Sequence, residues 1–162
     1  MNARDLLPLV NSPSELIENL GRAERERRHD LRDAVASLTS HEDPLVREQA
    51  IGLLLFTWKD VPSRWIAVRA LEADSDFGVR GQAAFGLIGV SSERTRAEDT
   101  RLLIRRLLDE DEELDTRRSV YDALLLLYGR RDFPATKRGL DLSREVDWEW
   151  IRELREQVDP EP

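Results

Sequence analysis

Apolar side chains recur every three or four residues through most of this chain, the spacing of amphipathic helices, and the pattern itself repeats on a longer period. One phrase appears three times: Asp43-Pro-Leu-Val-Arg47-Glu-Gln-Ala50, Asp76-Phe-Gly-Val-Arg80-Gly-Gln-Ala83 and, less closely, Glu113-Leu-Asp-Thr-Arg117-Arg-Ser-Val120, at offsets of 33 and 37 residues. The register extends beyond the phrase. Nine residues before each arginine stand Leu38, Leu71 and Leu108, thirteen before stand Ala34, Ala67 and Ile104, and seven after stand Leu54, Leu87 and Leu124. Each unit therefore predicts a first helix ending near the leucine column, a short acidic turn, and a second helix opening at the phrase. A period of this length marks a stacked array whose units share one apolar core.

Local chemistry supports those boundaries. Asp43 and Asp76 are placed to accept hydrogen bonds from backbone N–H groups left over at a helix start, and Pro44 falls where a missing N–H costs nothing. Val46, Ala50 and Leu54 share one helix face, as do Val79, Ala83 and Leu87, and the small alanines allow a neighbouring helix to approach. Upstream, Ser12-Pro13-Ser14-Glu15 forms a capping box ahead of Leu16, Ile17 and Leu20, with Gly21 as the expected stop. Leu6 to Val10 reads as a further short helical turn. The mixed charges of Arg22 to Asp30 read as the exposed start of a long helix continuing through Leu31, Val35 and Leu38. Downstream, Gly129 and Pro134 break the pattern, residues 134 to 142 are ambiguous, and Asp147 caps a last helix with an apolar stripe of Trp150, Ile151, Leu154 and Val158. Asp159 to Pro162 is expected to fray.

The three-fold phrase over residues 28 to 130 resembles the HEAT repeat in its short bacterial form. The resemblance implies an all-α fold, a right-handed α-solenoid of about three HEAT-like helical hairpins with capping helices at both ends. The whole chain, 1–162, is then one repeat domain: cap 1–27, repeats at about 28–60, 61–93 and 98–130, and C-terminal cap 131–162. It further implies that the turn acids Asp43, Asp76 and Glu113 pair along the stack with Arg47, Arg80 and Arg117. The third unit departs, with Thr116 in the valine column, Val120 in the alanine column and Glu113 for aspartate. The Trp, Gly and Tyr pattern of tetratricopeptide repeats and the Thr-Pro-Leu-His of ankyrin repeats are missing.

Composition narrows the function classes. The 162 residues suit one domain, and 36% charged with 40% hydrophobic residues suits amphipathic helices on a thin stack. There is no cysteine, so disulfides, thiolate nucleophiles and cysteine-ligated zinc are excluded. Neither the Met1 to Val10 segment nor the apolar run Ala50 to Trp58 has the length of a signal peptide or a membrane span. A cytoplasmic protein that does not engage membranes is the expectation. Net charge is −8, and both halves are acidic, with 11 basic and 14 acidic residues in 1–81 and 14 and 19 in 82–162. That balance works against general nucleic-acid binding, which needs clustered cations, and favours a basic protein partner. Arginine outnumbers lysine 23 to 2, a bias that suits protein interfaces.

Sites of chemistry are sparse. His29 and His41 are the only histidines, and neither stands in a metal-binding pair or beside a nucleophile. His41-Glu42-Asp43 lacks the further ligands of a metal loop, and Asp109 to Asp115, with six acids in seven residues, lacks the glycine and spaced oxygens of a calcium loop. That run reads as a solvated acidic turn. Arg22, Arg25, Arg27, Arg28 and Arg32 interleave with acids and read as an ion-paired helix face. Gly86 and Gly89 read as close-packing positions inside a helix. Trp58, Trp65, Phe85 and Tyr121 stand open between core and interface.

These readings point to a non-catalytic protein-binding scaffold, with no cofactor and no metal. The resemblance implies that its partner lies along the concave face of the second helices. The non-core positions there include Glu48, Gln49 and Gly52, then Gln82 and Phe85, then Arg118 and Asp122. One specific form is an immunity or adaptor protein that neutralises a basic partner. The other classes are a HEAT-like nucleic-acid-processing enzyme, for which Asp122 beside Phe85 and Tyr121 is the nearest approach to a site, and a bilin lyase, for which no residue discriminates.

Overall fold

A computed structural model describes residues 12–130 and 141–159, and these are helical, without a strand. The chain starts with α1 (Pro13–Arg25), then α2 (Arg32–Leu38), α3 (Pro44–Ile51), α4 (Arg64–Ala73), α5 (Phe77–Gly89), α6 (Arg96–Leu108) and α7 (Leu114–Leu127). A short α8 (Leu142–Glu145) and α9 (Trp148–Val158) follow. The expectations placed on Leu6 to Val10, on Pro134 and on the last three residues lie outside the described residues.

The helix starts form for the reasons their sequences give. Ser12 accepts the Glu15 N–H while the Glu15 carboxylate accepts the Ser12 N–H, closing the capping box of α1. Asp43 accepts from Leu45 and Val46 at the head of α3, and Asp76 from Gly78 and Val79 at the head of α5. Asp147 caps α9 through the Trp150 N–H. Glu113 makes no such bond, so α7 begins without a side-chain cap.

Two boundaries differ from the sequence pattern. α1 runs through Gly21 to Arg25, because Leu20 and Ala23 are both buried and one glycine costs only about 1 kcal/mol in a helix. No long helix then joins it to Leu31. Arg27 takes a left-handed conformation, φ 53°, and Arg27 and Arg28 N–H groups bond back to Glu24 and Ala23, which terminates α1. A single 3-10 turn, His29–Leu31, leads into α2. The same device ends α7 at Gly129, φ 67°, where the helix break was expected.

α1, α3, α5 and α7 lie in one row, each packed on the next, while α2, α4 and α6 pack along α3, α5 and α7. The α9 helix rests on α6. The matched columns form the core between the helices. Val46, Val79 and Thr116 are buried, as are Ala50, Ala83 and Val120, and Leu54, Leu87 and Leu124 are fully so. Each such leucine contributes about 1.5–3 kcal/mol. Thr116 is accommodated in the valine column because its hydroxyl donates to the Phe77 carbonyl at 3.1 Å.

The first-helix column breaks at its third member. Leu38 and Leu71 are buried, but Leu108 is 40% exposed and Leu107 takes the core position. The phrase offset lengthens from 33 to 37 in this unit, so counting back nine residues from Arg117 stops one residue short of Leu107, a rotation of about 100° on a helix.

After Ile51 the α3 helix widens into a π-helical turn, Gly52–Thr57, closed by the Trp58 N–H reaching the Leu53 carbonyl. Leu53, Leu54 and Leu55 are all buried there. The C-terminal part of α5 crosses this turn at backbone distance: a Cβ on Gly89 would lie 2.5 Å from the Leu55 carbonyl oxygen. Gly86 abuts the Leu55 and Ile51 side chains, so both glycines are close-packing positions.

The charge ladder is shifted from the expected pairs. Asp43 and Asp76 are engaged as caps, and the arginines instead reach acids just ahead of the following unit's cap: Arg47 to Asp74 and Arg80 to Glu112, each at 2.7 Å. Arg117 donates to the Leu107 carbonyl. A second set of ties runs between first helices, from Arg32 to Asp60 and Ser63 and from Arg64 to the buried Asp99. Arg22 and Arg28 pair with Glu26 and Asp30, as an ion-paired face requires. Among the described residues no helix is long and apolar enough to cross a membrane.

Candidate functional site

The row α3, α5 and α7 buries one face of each helix, and the opposite positions border a depression, with Gly81 and Arg118 themselves buried. On α5 these are Phe77, Gly78, Gly81, Gln82 and Phe85, and on α7 Asp115, Arg118, Ser119 and Asp122. With Glu48 of α3 they line a depression of about 650 Å³. A smaller one, about 150 Å³, adjoins it between α1, α3 and α5 and includes Glu24, Gln49, Gly52 and Phe56. Glu48 and Gln82 line both.

The structure thus places all seven residues picked from the sequence as partner-binding positions along the two depressions. Glu48 and Gln82 stand at the junction, Gln49 and Gly52 in the smaller arm, and Phe85, Arg118 and Asp122 in the larger. Sequence reasoning missed Phe77, Asp115, Phe56 and the contribution of α1. Phe77 carried a usable signal: a large apolar residue directly after the Asp76 cap precedes the core-facing positions and so points outward.

Two glycines make room for side chains of the next helix. A Cβ on Gly52 would lie 2.9 Å from the Gln82 amide nitrogen, and one on Gly81 2.9 Å from the Ser119 hydroxyl. The walls are partly aromatic, with Phe56 and Phe85 packed edge to face at 6.1 Å and Phe77 about half exposed.

Charge in the hollow is one-sided. Among the described residues that line the two depressions, the charged ones are the carboxylates Glu24, Glu48, Asp115 and Asp122 and the guanidinium of Arg118, which pairs with Asp115 at 3.2 Å. Among the described residues Glu48 makes no hydrogen bond or ion pair. Burial first, and then the nearby Asp76 charge, push its carboxyl above the usual range. The two carboxylates approach each other over Gly78, which has no side chain to separate them.

The other candidates fall elsewhere. Tyr121 is buried, its hydroxyl accepting the Asp147 N–H at 3.0 Å and its ring meeting Trp150, so it does not join Phe85 and Asp122 in the hollow. Trp58 packs on the core and against His29, whereas Trp65 is exposed beneath Arg69. His41 accepts the Asp43 N–H through Nδ1. Within the acidic run, Glu112 is not solvated: it is buried between Arg80 and Arg106. Among the described residues no three His, Asp or Glu side chains are grouped to hold a metal ion. The groove offers carboxylates, primary amides and aromatic rings, the means of holding a cationic polypeptide.

No protein-family model, curated protein or solved structure matches this chain.

Proposed function

We propose that this chain is a non-catalytic docking module, a right-handed α-solenoid of HEAT-like hairpins with capping helices, that holds a basic protein along the row of second helices. Four features support the solenoid reading: the recurring phrase, the buried columns at matching register, the row of second helices, and arginine ties from each unit to the next. The partner is inferred from a single observation. The outward positions of α1, α3, α5 and α7 form adjoining depressions that, among the described residues, are lined by four carboxylates and one guanidinium. A partner presenting lysine or arginine gains Coulomb attraction there and covers the exposed phenylalanines. An immunity or adaptor protein covering a basic toxin or regulator is one form of this activity.

The test is affinity capture with the full chain followed by mass spectrometry, and titration of the captured protein at two salt concentrations. A basic partner whose affinity falls at least about tenfold between 50 and 300 mM salt is expected, since attraction between exposed charges is screened over about 10 Å. Firm binding to duplex DNA at low salt, or a partner insensitive to salt, overturns the reading.

A further inference from the structure

The hollow has a direction. Its two arms meet at Glu48 and Gln82, so it runs across the helix axes from Glu24 of α1 to Asp122 of α7. Four helices side by side at about 8–10 Å span roughly 24–30 Å. An extended strand rising about 3.3 Å per residue covers that in eight or nine residues.

The junction has a chemistry of its own. Glu24 already accepts from the Thr57 hydroxyl, Asp115 from Arg118, and Asp76 from the first N–H groups of α5. Glu48 has no such donor among the described residues and sits beside the Asp76 charge. The Phe77 and Phe85 rings line the same depression. Arginine suits this setting, since its guanidinium pairs with a carboxylate through its edge and stacks on an aromatic ring through its face. Gln49 and Gln82, at equivalent places in the repeated phrase, each offer an amide donor and acceptor that match a peptide bond.

Building on the docking role above, we propose that the occupant is an extended, arginine-bearing polypeptide segment laid across α1, α3, α5 and α7, with one guanidinium seated against Glu48. The segment's cation supplies the partner that Glu48 lacks and relieves its repulsion from Asp76.

The test uses the full chain and three synthetic peptides of about nine residues: a Gly/Ser-rich peptide with three arginines, an alanine-rich helical peptide with three arginines, and the Gly/Ser-rich peptide with three glutamates. Each is titrated calorimetrically at about 50 mM salt into the native chain, Glu48→Gln and Glu110→Gln. Glu110 lies on the exposed acidic turn. The extended arginine peptide is expected to bind best, to weaken about five- to tenfold with Glu48→Gln, and to change less than about twofold with Glu110→Gln. Tighter binding of the helical peptide, or equal effects of the two substitutions, overturns the extended segment and the role of Glu48 while leaving the acidic docking surface standing. Failure of both arginine peptides, or preference for the glutamate peptide, overturns the docking role as well.

Discussion

Arg47 of α3 grips Asp74, the residue that follows α4, through both carboxylate oxygens at 2.9 and 2.7 Å. Each side chain is only 13% exposed. The same guanidinium donates to the His41 and Glu42 carbonyls, so one side chain ties two successive inter-helix turns together. Burial by itself raises the Asp74 carboxyl. The Arg47 hydrogen bonds, the Asp76 N–H and the charges of Arg47 and Arg80 outweigh it and hold the carboxyl below its usual range.

A depressed folded-state pKa stabilises the fold above the unfolded value, near about 4, and that contribution is lost as pH falls through the folded value. Asp74→Asn is therefore expected to destabilise the chain at pH 7, by about 1.5–3 kcal/mol for a charge-assisted bidentate pair. The difference from the native chain shrinks below about pH 4. Urea unfolding at a series of pH values checks this, and a constant difference down to pH 2 contradicts it.

The slip in the leucine column makes a sharp contrast between neighbours. Leu71→Ala and Leu107→Ala each remove a fully buried side chain and are expected to cost about 2–5 kcal/mol. Leu108→Ala, at a 40% exposed position, is expected to cost less than about 1 kcal/mol. Chemical denaturation of the three variants measures it. A large effect at Leu108 with a small one at Leu107 restores the uninterrupted register.

The caps differ in the same measurable way. Asp43→Ala and Asp76→Ala each leave two N–H groups at a helix start without their acceptor and are expected to cost about 1 kcal/mol, up to about 2. Glu113→Ala removes no cap bond and is expected to stay within about 0.5 kcal/mol. Thermal melts of the three variants discriminate, and equal losses would refute the assignment.

Glycines and left-handed residues give opposite signs. Gly89→Ala drives a methyl into the Leu55 carbonyl and the Phe56 backbone, so a loss of about 2 kcal/mol or more is expected. Arg27→Gly and Lys59→Gly relieve left-handed conformations at φ 53° and 55°. Each is expected to be neutral or to stabilise by up to about 1 kcal/mol. Differential scanning calorimetry of the three variants reads the signs directly. Stabilisation by Gly89→Ala would show that α5 does not cross the π-helical turn at backbone distance.

Helical periodicity determined which side of each second helix faces inward, and so it found the buried columns of the second helices and seven of the residues that line the groove, while residue type marked the caps at Asp43, Asp76 and Asp147. A position's side on a helix depends only on its spacing from its neighbours, at 3.6 residues per turn. Contacts between helices obey no such count. The ties from Arg47 to Asp74, Arg80 to Glu112 and Arg64 to Asp99, the slip from Leu108 to Leu107, the widened turn after Ile51 and the closeness of Glu48 to Asp76 were decided by tertiary structure. Each depends on turn length and on how far one helix slides along the next, quantities set by the packing of whole side chains against one another.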